Sequence, residues 1–272
     1  MGYLTAAANT VGAQLVGALP GAGGLNAGQM LSQPMKALLL LDVEPTLDAA
    51  DAAAAKAALA GSGLVVALTS FKDAAVDNAD VLLPIAPFTE TAGSFVNAEG
   101  RVQSFHGVVK PLGDARPAWK VLRVLGNLLG LNGFNQETAD EVRAEALGDL
   151  ASIPARLSNA SAAPVAIAVA AAGLQRVADV PIYSADALVR RAPALQATAD
   201  ARAPVAGIPP ALWQQLGLAA GDRVKISQGG ASAVLAARQD SSLAANTVRV
   251  AAGHADTASL GAMFGALSVE KV

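Results

Sequence analysis

The chain has no cysteine, only two histidines, and an aromatic share of 4% over 272 residues. The missing thiols exclude disulfides, and they exclude an iron–sulfur cluster held by this chain through cysteine. His106 and His254 lie far apart without ligand-like spacing, so no zinc site is expected. Charge of one sign is also scarce. A formal net charge of -3 provides no basic field for a nucleic-acid backbone, while leaving protein partners open. Long apolar runs are missing too. The longest, Ala162–Leu174, contains Pro164 and is too short to span roughly 30 Å of hydrocarbon, so it reads as a buried strand or a core helix. No basic start leads into an apolar stretch, so no secretory signal is expected. Met1-Gly2 reads as an artificial start.

What is abundant is small apolar side chains. Hydrophobic residues make up 53% of the chain, mostly alanine, which favours close backbone approach over packing by large side chains. Leu4–Leu19 reads as a helix that Pro20-Gly21-Ala22-Gly23-Gly24 ends. Ala37–Leu41 is a short apolar run flanked by Asp42 and Pro45, as a buried strand would be. Thr46 or Asp48 is placed to cap an Ala-rich helix ending near Gly61. Leu64–Thr69 and Val81–Ile85 read as further strands, with a helix-length stretch, Lys72–Asp80, between them. Apolar strands alternating with helices predict parallel pairing. Ala115–Leu129 reads as an amphipathic helix with Trp119, Leu122 and Leu129 on one face. From 148 to 202 the chain reads as a connector with one short helix near Pro181–Arg191. Beyond it, Pro209-Pro210 opens a helix that Gly217 stops. Arg223–Ser227 and Thr247–Val250 alternate as half-buried strands, and Gln228-Gly229-Gly230 reads as a hairpin turn into Ala231–Ala237. The expected organisation is an α/β parallel-sheet domain over 1–147, the connector, and a small β-barrel over 203–272.

Several groups of residues invite a chemical reading. Pro20–Gly28 is glycine-rich but follows a helix rather than a strand, so it reads as a structural loop. Glu90 and Glu99 are two carboxylates in one loop, near Asn97, Arg101 and His106. They fit an acid–base pair, or a set of capping groups that hold a loop too long to order itself. Gly93 and Gly100 favour the second reading. Arg190-Arg191 fits either an anion site or the charged last turn of a helix, and His254 beside Gly253 fits a capping role. No serine sits in a G-x-S-x-G elbow, so no nucleophile triad is expected. No catalytic and no metal-binding residue is assigned.

Three stretches carry a resemblance. They are Ala79-Asp80-Val81-Leu82-Leu83-Pro84; Glu90-Thr91-Ala92-Gly93-Ser94-Phe95-Val96-Asn97-Ala98-Glu99-Gly100-Arg101-Val102-Gln103; and Pro111-x-Gly113-x-Ala115-x-Pro117-x-Trp119. Together they resemble the molybdopterin oxidoreductase superfamily and, within it, the G-subunit family of bacterial NADH-quinone oxidoreductase (respiratory complex I). Gly23–Ala27, Pro181–Gln196 and His254–Gly265 extend the likeness. The resemblance implies the C-terminal part of a longer polypeptide, whose iron–sulfur clusters (4Fe-4S and 2Fe-2S) lie in the missing N-terminal part. It implies a Rossmann-like domain followed by a double-psi-like barrel. It implies a structural or assembly role at the cytoplasmic face of the bacterial inner membrane, beside other peripheral-arm subunits, in a complex that passes electrons from NADH to quinone and translocates protons. On that reading the fragment holds no cofactor and is not catalytic alone. The alternative is a pterin-dinucleotide-binding module of a molybdenum or tungsten oxidoreductase. Glu90, Asn97, Glu99 and Arg101 are then the candidate cofactor contacts, with the barrel turns near Gly221, Gly229 and Gly253.

Overall fold

A computed structural model describes residue 5 and residues 7–73, 78–158, 160 and 172–272. The helix expected from Leu4 is limited here to α1, Thr10–Leu15, and Leu4 itself lies outside the described residues. So do 74–77, in the stretch expected to form a helix before the third strand, and most of the apolar run that ends at Leu174.

The leucine run forms strand β1, Leu38–Leu41. The Ala-rich helix α2, Ala52–Gly61, follows. Its cap is Asp51, whose carboxylate accepts from the Ala54 amide at 2.9 Å, and not Thr46 or Asp48. Those two belong to a separate turn of helix, Pro45–Asp48, because the Asp48 carboxylate turns back to accept from the Glu44 amide at 2.7 Å. Strands β2 (Val65–Thr69) and β3 (Val81–Pro84) follow. The order is β1-β2-β3, with β2 and β3 parallel and Val66 opposite Val81. A hairpin of β4 (Gly93–Val96) and β5 (Val102–Phe105) comes next, then helices α3 (Ala118–Leu128) and α4 (Ala139–Leu147). Thr138 caps α4 by accepting from the Glu141 amide at 3.2 Å.

The chain divides into two compact units, each discontinuous in sequence. The first comprises Met1–Ala27, Leu39–Asp42 and Val66–Ala166; the second comprises Gly28–Leu38, Val43–Val65 and Ile167–Val272. In the first unit the sheet leaves apolar side chains open: Leu39 is 49% exposed, Leu41 43% and Val81 42%.

The second unit is built on a sheet of seven strands. These are β6 (Gln175–Val177), β7 (Val205–Ile208), β8 (Arg223–Gln228), β9 (Ala231–Gln239), β10 (Thr247–Arg249), β11 (Gly265–Ala266) and β12 (Ser268–Lys271). Their spatial order is β11-β6-β10-β7-β9-β8-β12. The two end strands of that order are successive pieces of one run, separated only by Leu267. β11 pairs antiparallel with β6, and β12 pairs antiparallel with β8. That single run therefore nearly closes the sheet into a barrel-like form. The predicted hairpin joins β8 to β9, with Gly229 at φ +57 and Gly230 at φ +85; two successive left-handed residues are what this tight turn requires. Alternation in β8 places Val224 and Ile226 inside with no exposure. They pack with Ala206, Ile208, Leu212, Leu235, Val248, Val250 and Leu260 as one core. Helix α5, Pro210–Gln215, contributes Leu212 to it.

One polar side chain lies deep inside this barrel. Arg176 on β6 is 1% exposed. Its guanidinium donates to the main-chain oxygens of Val250 (3.2 Å), Ala251 (3.1 Å) and Ala262 (2.9 Å), and to Gln228 Oε1 (3.3 Å). Burial holds its pKa below the ordinary arginine value. Gln228 in turn donates to the Ala262 oxygen at 2.9 Å.

Candidate functional site

The candidate loop folds as an alternating hairpin. Gly93 faces Phe105, Ser94 faces Ser104, Phe95 faces Gln103 and Val96 faces Val102. A Cβ added to Gly93 would lie 2.5 Å from the Phe105 ring, so this position admits no side chain without repacking. The turn is organised by Asn97. Its Oδ1 accepts from the amides of Glu99 (3.1 Å) and Arg101 (2.9 Å), a local side-chain to main-chain closure typical of asparagine. Gly100 completes the turn at φ +83, and a Cβ there would strike Leu157 at 2.2 Å. Glu90 is half-buried, and its Oε2 accepts from the Leu112 amide at 3.0 Å. Beside it the Val108 amide donates to the Thr89 oxygen at 2.8 Å. Glu99 and Arg101 are exposed. Glu90 and Asn97 therefore hold the loop, and the structure brings neither carboxylate into an acid–base pair.

Against the hairpin lies a cavity of about 590 Å³, walled by α1, both hairpin strands, α4 and Trp119 of α3. Asn9, just before α1, ties this layer together: its Oδ1 accepts from the Val96 amide at 2.8 Å and its Nδ2 donates to the Ser94 oxygen at 3.5 Å. The hydroxyls of Ser94 and Ser104 are 2.8 Å apart. Arg143 on α4 donates to Ser104 Oγ at 2.9 Å and pairs with Asp140 at 3.1 Å. His106 is exposed and lines the same cavity. A second cavity of about 280 Å³ shares Trp119, Val142 and Ala146 with the first. Sequence reasoning singles out His106 and Trp119 but misses Asn9 and Arg143. An asparagine before a helix and an arginine on a helix face carry no distinguishing local pattern. Only the long-range packing brings them together.

The other singled-out residues have structural roles. Arg190 pairs with Glu44 at 2.8 Å and Asp48 at 2.6 Å, and Arg191 pairs with Glu44 at 2.5 Å. Glu44 is 7% exposed. The arginine pair is thus neutralised by two carboxylates rather than held ready for an anion. His254 caps the turn Ala255–Ala258, its Nδ1 accepting from the Asp256 amide at 3.1 Å. Gly21, Gly23 and Gly24 lie in an exposed loop. Among the described residues, no group of histidine and acidic side chains is arranged to hold a metal ion, and no helix is long and apolar enough to cross a membrane.

Comparison with known proteins places this geometry. The family model described as "Molybdopterin oxidoreductase" matches residues 1–128. The resemblance seen in the motif run is borne out over this stretch. Over 120 residues the chain is 37% identical to the G subunit of NADH-quinone oxidoreductase from Mycobacterium bovis, which is 42% of this chain and 15% of that protein. Over 67 residues it is 39% identical to a Staphylococcus aureus (strain USA300) protein named "Putative formate dehydrogenase", covering 25% of this chain and 7% of that one. The chain thus aligns with only about a seventh or less of the length of these relatives. Among solved structures, Acetylene Hydratase from Pelobacter acetylenicus superposes with a TM-score of 0.57 at 18% identity, over 84% of this chain and 39% of that one. That likeness shows the fold: an α/β part with parallel pairing and a barrel-like part.

A molybdopterin oxidoreductase match implies a pterin-type group in this region, which stands against the expectation that the fragment holds no cofactor. The donor set is the test of fit. The diphosphate of a dinucleotide-linked pterin needs cations or clustered amides. The cavity under the hairpin offers one guanidinium, Arg143, where a diphosphate needs more than one cationic group. In the second unit Arg190 and Arg191 are neutralised by Glu44 and Asp48, and Arg176 is sealed inside the barrel. These residues do not fit a dinucleotide-linked pterin.

Proposed function

We propose that this chain is a structural and assembly segment of a G-subunit-type protein in the peripheral arm of an NADH-quinone oxidoreductase. The observation that carries the reading is the 37% identity to such a protein over 120 residues. The hairpin supports it, since Glu90 and Asn97 are spent on main-chain bonds. On this reading the loop stiffens a scaffold, and electrons pass through iron–sulfur clusters elsewhere in the same polypeptide. The partners are neighbouring peripheral-arm subunits at the cytoplasmic face of the membrane, and the barrel has the double-psi arrangement.

A second reading, a pterin-dinucleotide-binding module of a molybdenum or tungsten oxidoreductase, draws on the family match and on the acetylene hydratase fold. Elemental analysis and acid-extracted pterin fluorescence of the freshly purified protein separate the two. The scaffold reading expects neither metal nor pterin at stoichiometric level. Molybdenum or tungsten near one per chain, with matching pterin, would overturn it.

A further inference from the structure

The geometry points to the cavity under the hairpin as a binding site for a small amphipathic carboxylate, one acid group on an apolar aryl or alkyl body. Its volume of about 590 Å³ lies within the range of sites for drug-sized ligands, which are mostly apolar with a few convergent polar groups. The apolar wall is Val16, Val96, Phe105, Trp119, Val142 and Leu147. The polar groups converge on one atom: Ser104 Oγ lies 2.8 Å from Ser94 Oγ and 2.9 Å from Arg143 Nη1. Two hydroxyls and one fixed guanidinium in so small a space suit a carboxylate, because guanidinium and hydroxyl donors match its two oxygens.

The charge on Arg143 is available to such a ligand. Its partner Asp140 is a same-helix neighbour three residues away, with a side chain 68% exposed against 32% for Arg143. Asp140 also lines the cavity; exposed helix-surface pairs of this kind are weak, so an incoming carboxylate competes with Asp140 for Arg143. Among the described residues the lining offers no second lysine or arginine, which sets the ligand at one acid group. His106 at the same wall is an additional donor when protonated. The inference is independent of the scaffold proposal, since a scaffold segment and a catalytic module could each carry this site.

Trp119 lies in the wall, and the chain has only two tryptophans. In the full chain carrying Trp213→Phe, Trp119 alone reports on the cavity. Titration with 4-phenylbutyrate is expected to change its emission saturably, with the uncharged 4-phenylbutanol at least tenfold weaker. Arg143→Met is expected to erase that preference while leaving the alcohol's affinity unchanged. Amide shifts in two-dimensional NMR should cluster at Ser94, Ser104 and Ala139–Leu147, a readout that does not need the variant. Absence of saturable binding, equal affinity for acid and alcohol, a preference that survives Arg143→Met, or shifts confined to the barrel would each overturn the site.

Discussion

The two units of this chain bury their apolar residues in different ways. In the second, one run of chain nearly closes a seven-stranded sheet on itself, and its inward side chains reach zero exposure at Ala206, Ile208, Val224, Ile226, Val248 and Val250. In the first, a three-stranded sheet keeps Leu39, Leu41 and Val81 more than two-fifths exposed, and a cavity lies under the hairpin. In the barrel, the alternation of β8 turns Val224 and Ile226 into the core. The first unit has sites that small residues, hydroxyls and a helix-surface arginine leave open to a ligand. A self-sealed core and an open one in the same chain are the division of labour expected when one part supplies stability and the other supplies surfaces.

The largest test of that contrast is Arg176→Ala. It would strip the arginine donors from the Val250 and Ala251 oxygens and from Gln228 Oε1, leave the Ala262 oxygen to Gln228 alone, and open a void in the barrel. A loss of about 3–5 kcal/mol is expected from the orphaned acceptors and the cavity. Urea unfolding in a Trp119→Phe background, where Trp213 reports on the barrel, measures it. Arg176→Met should cost less, because its longer side chain fills much of the void that alanine leaves. If either change left the barrel's midpoint where it was, the barrel would not be the tightly determined part.

Gly93→Ala is the counterpart in the first unit. The new Cβ meets the Phe105 ring at 2.5 Å, and overpacking of this size costs about 1–3 kcal/mol. Residue-resolved hydrogen exchange should show faster opening at Gly93–Phe105 and unchanged protection at β8 and β9. Loss of protection in both places would mean that the units do not differ as described.

The smallest effect is on pH. Asp222 has its pKa lowered, first by its hydrogen bond with Lys271 and then by the Ala219 amide; Asp240 has its pKa lowered by its bonds from Ser242 and by Arg249 and Arg238. A lowered folded value means these carboxylates stabilise the barrel fully above the ordinary carboxylate pKa, about 3.9. The contribution is lost as pH falls through the lower folded values. Barrel thermal midpoints should therefore be level above about pH 5 and decline below about pH 4, with Asp240→Asn flattening part of the decline.

The legible parts of the sequence are those whose pattern is local. The period-two alternation of Arg223–Ser227, the Gly229-Gly230 turn and the apolar run at Ala37–Leu41 all form the elements expected. Strand β6 escapes notice, because Gln175-Arg176-Val177 is too short to show a period and its central residue is a buried arginine. The cap of α2 is ambiguous in sequence because Thr46, Asp48 and Asp51 are all good capping residues, and a short extra helical turn decides among them. At the site, the loop chemistry of Asn97 and Gly100 can be read from their residue types. The cavity cannot, since Asn9 and Arg143 meet the hairpin from about 85 and 40 residues away along the chain, and no local rule encodes such a distance.

The run Gly265–Lys271 has one more consequence. It covers β6 with one half and β8 with the other. Lifting it would bare two rows of unpaired main-chain groups at once, each a template for another chain. Protection of the barrel from self-association is thus concentrated in a single short run of chain, where most sheets spread it over two separate edges.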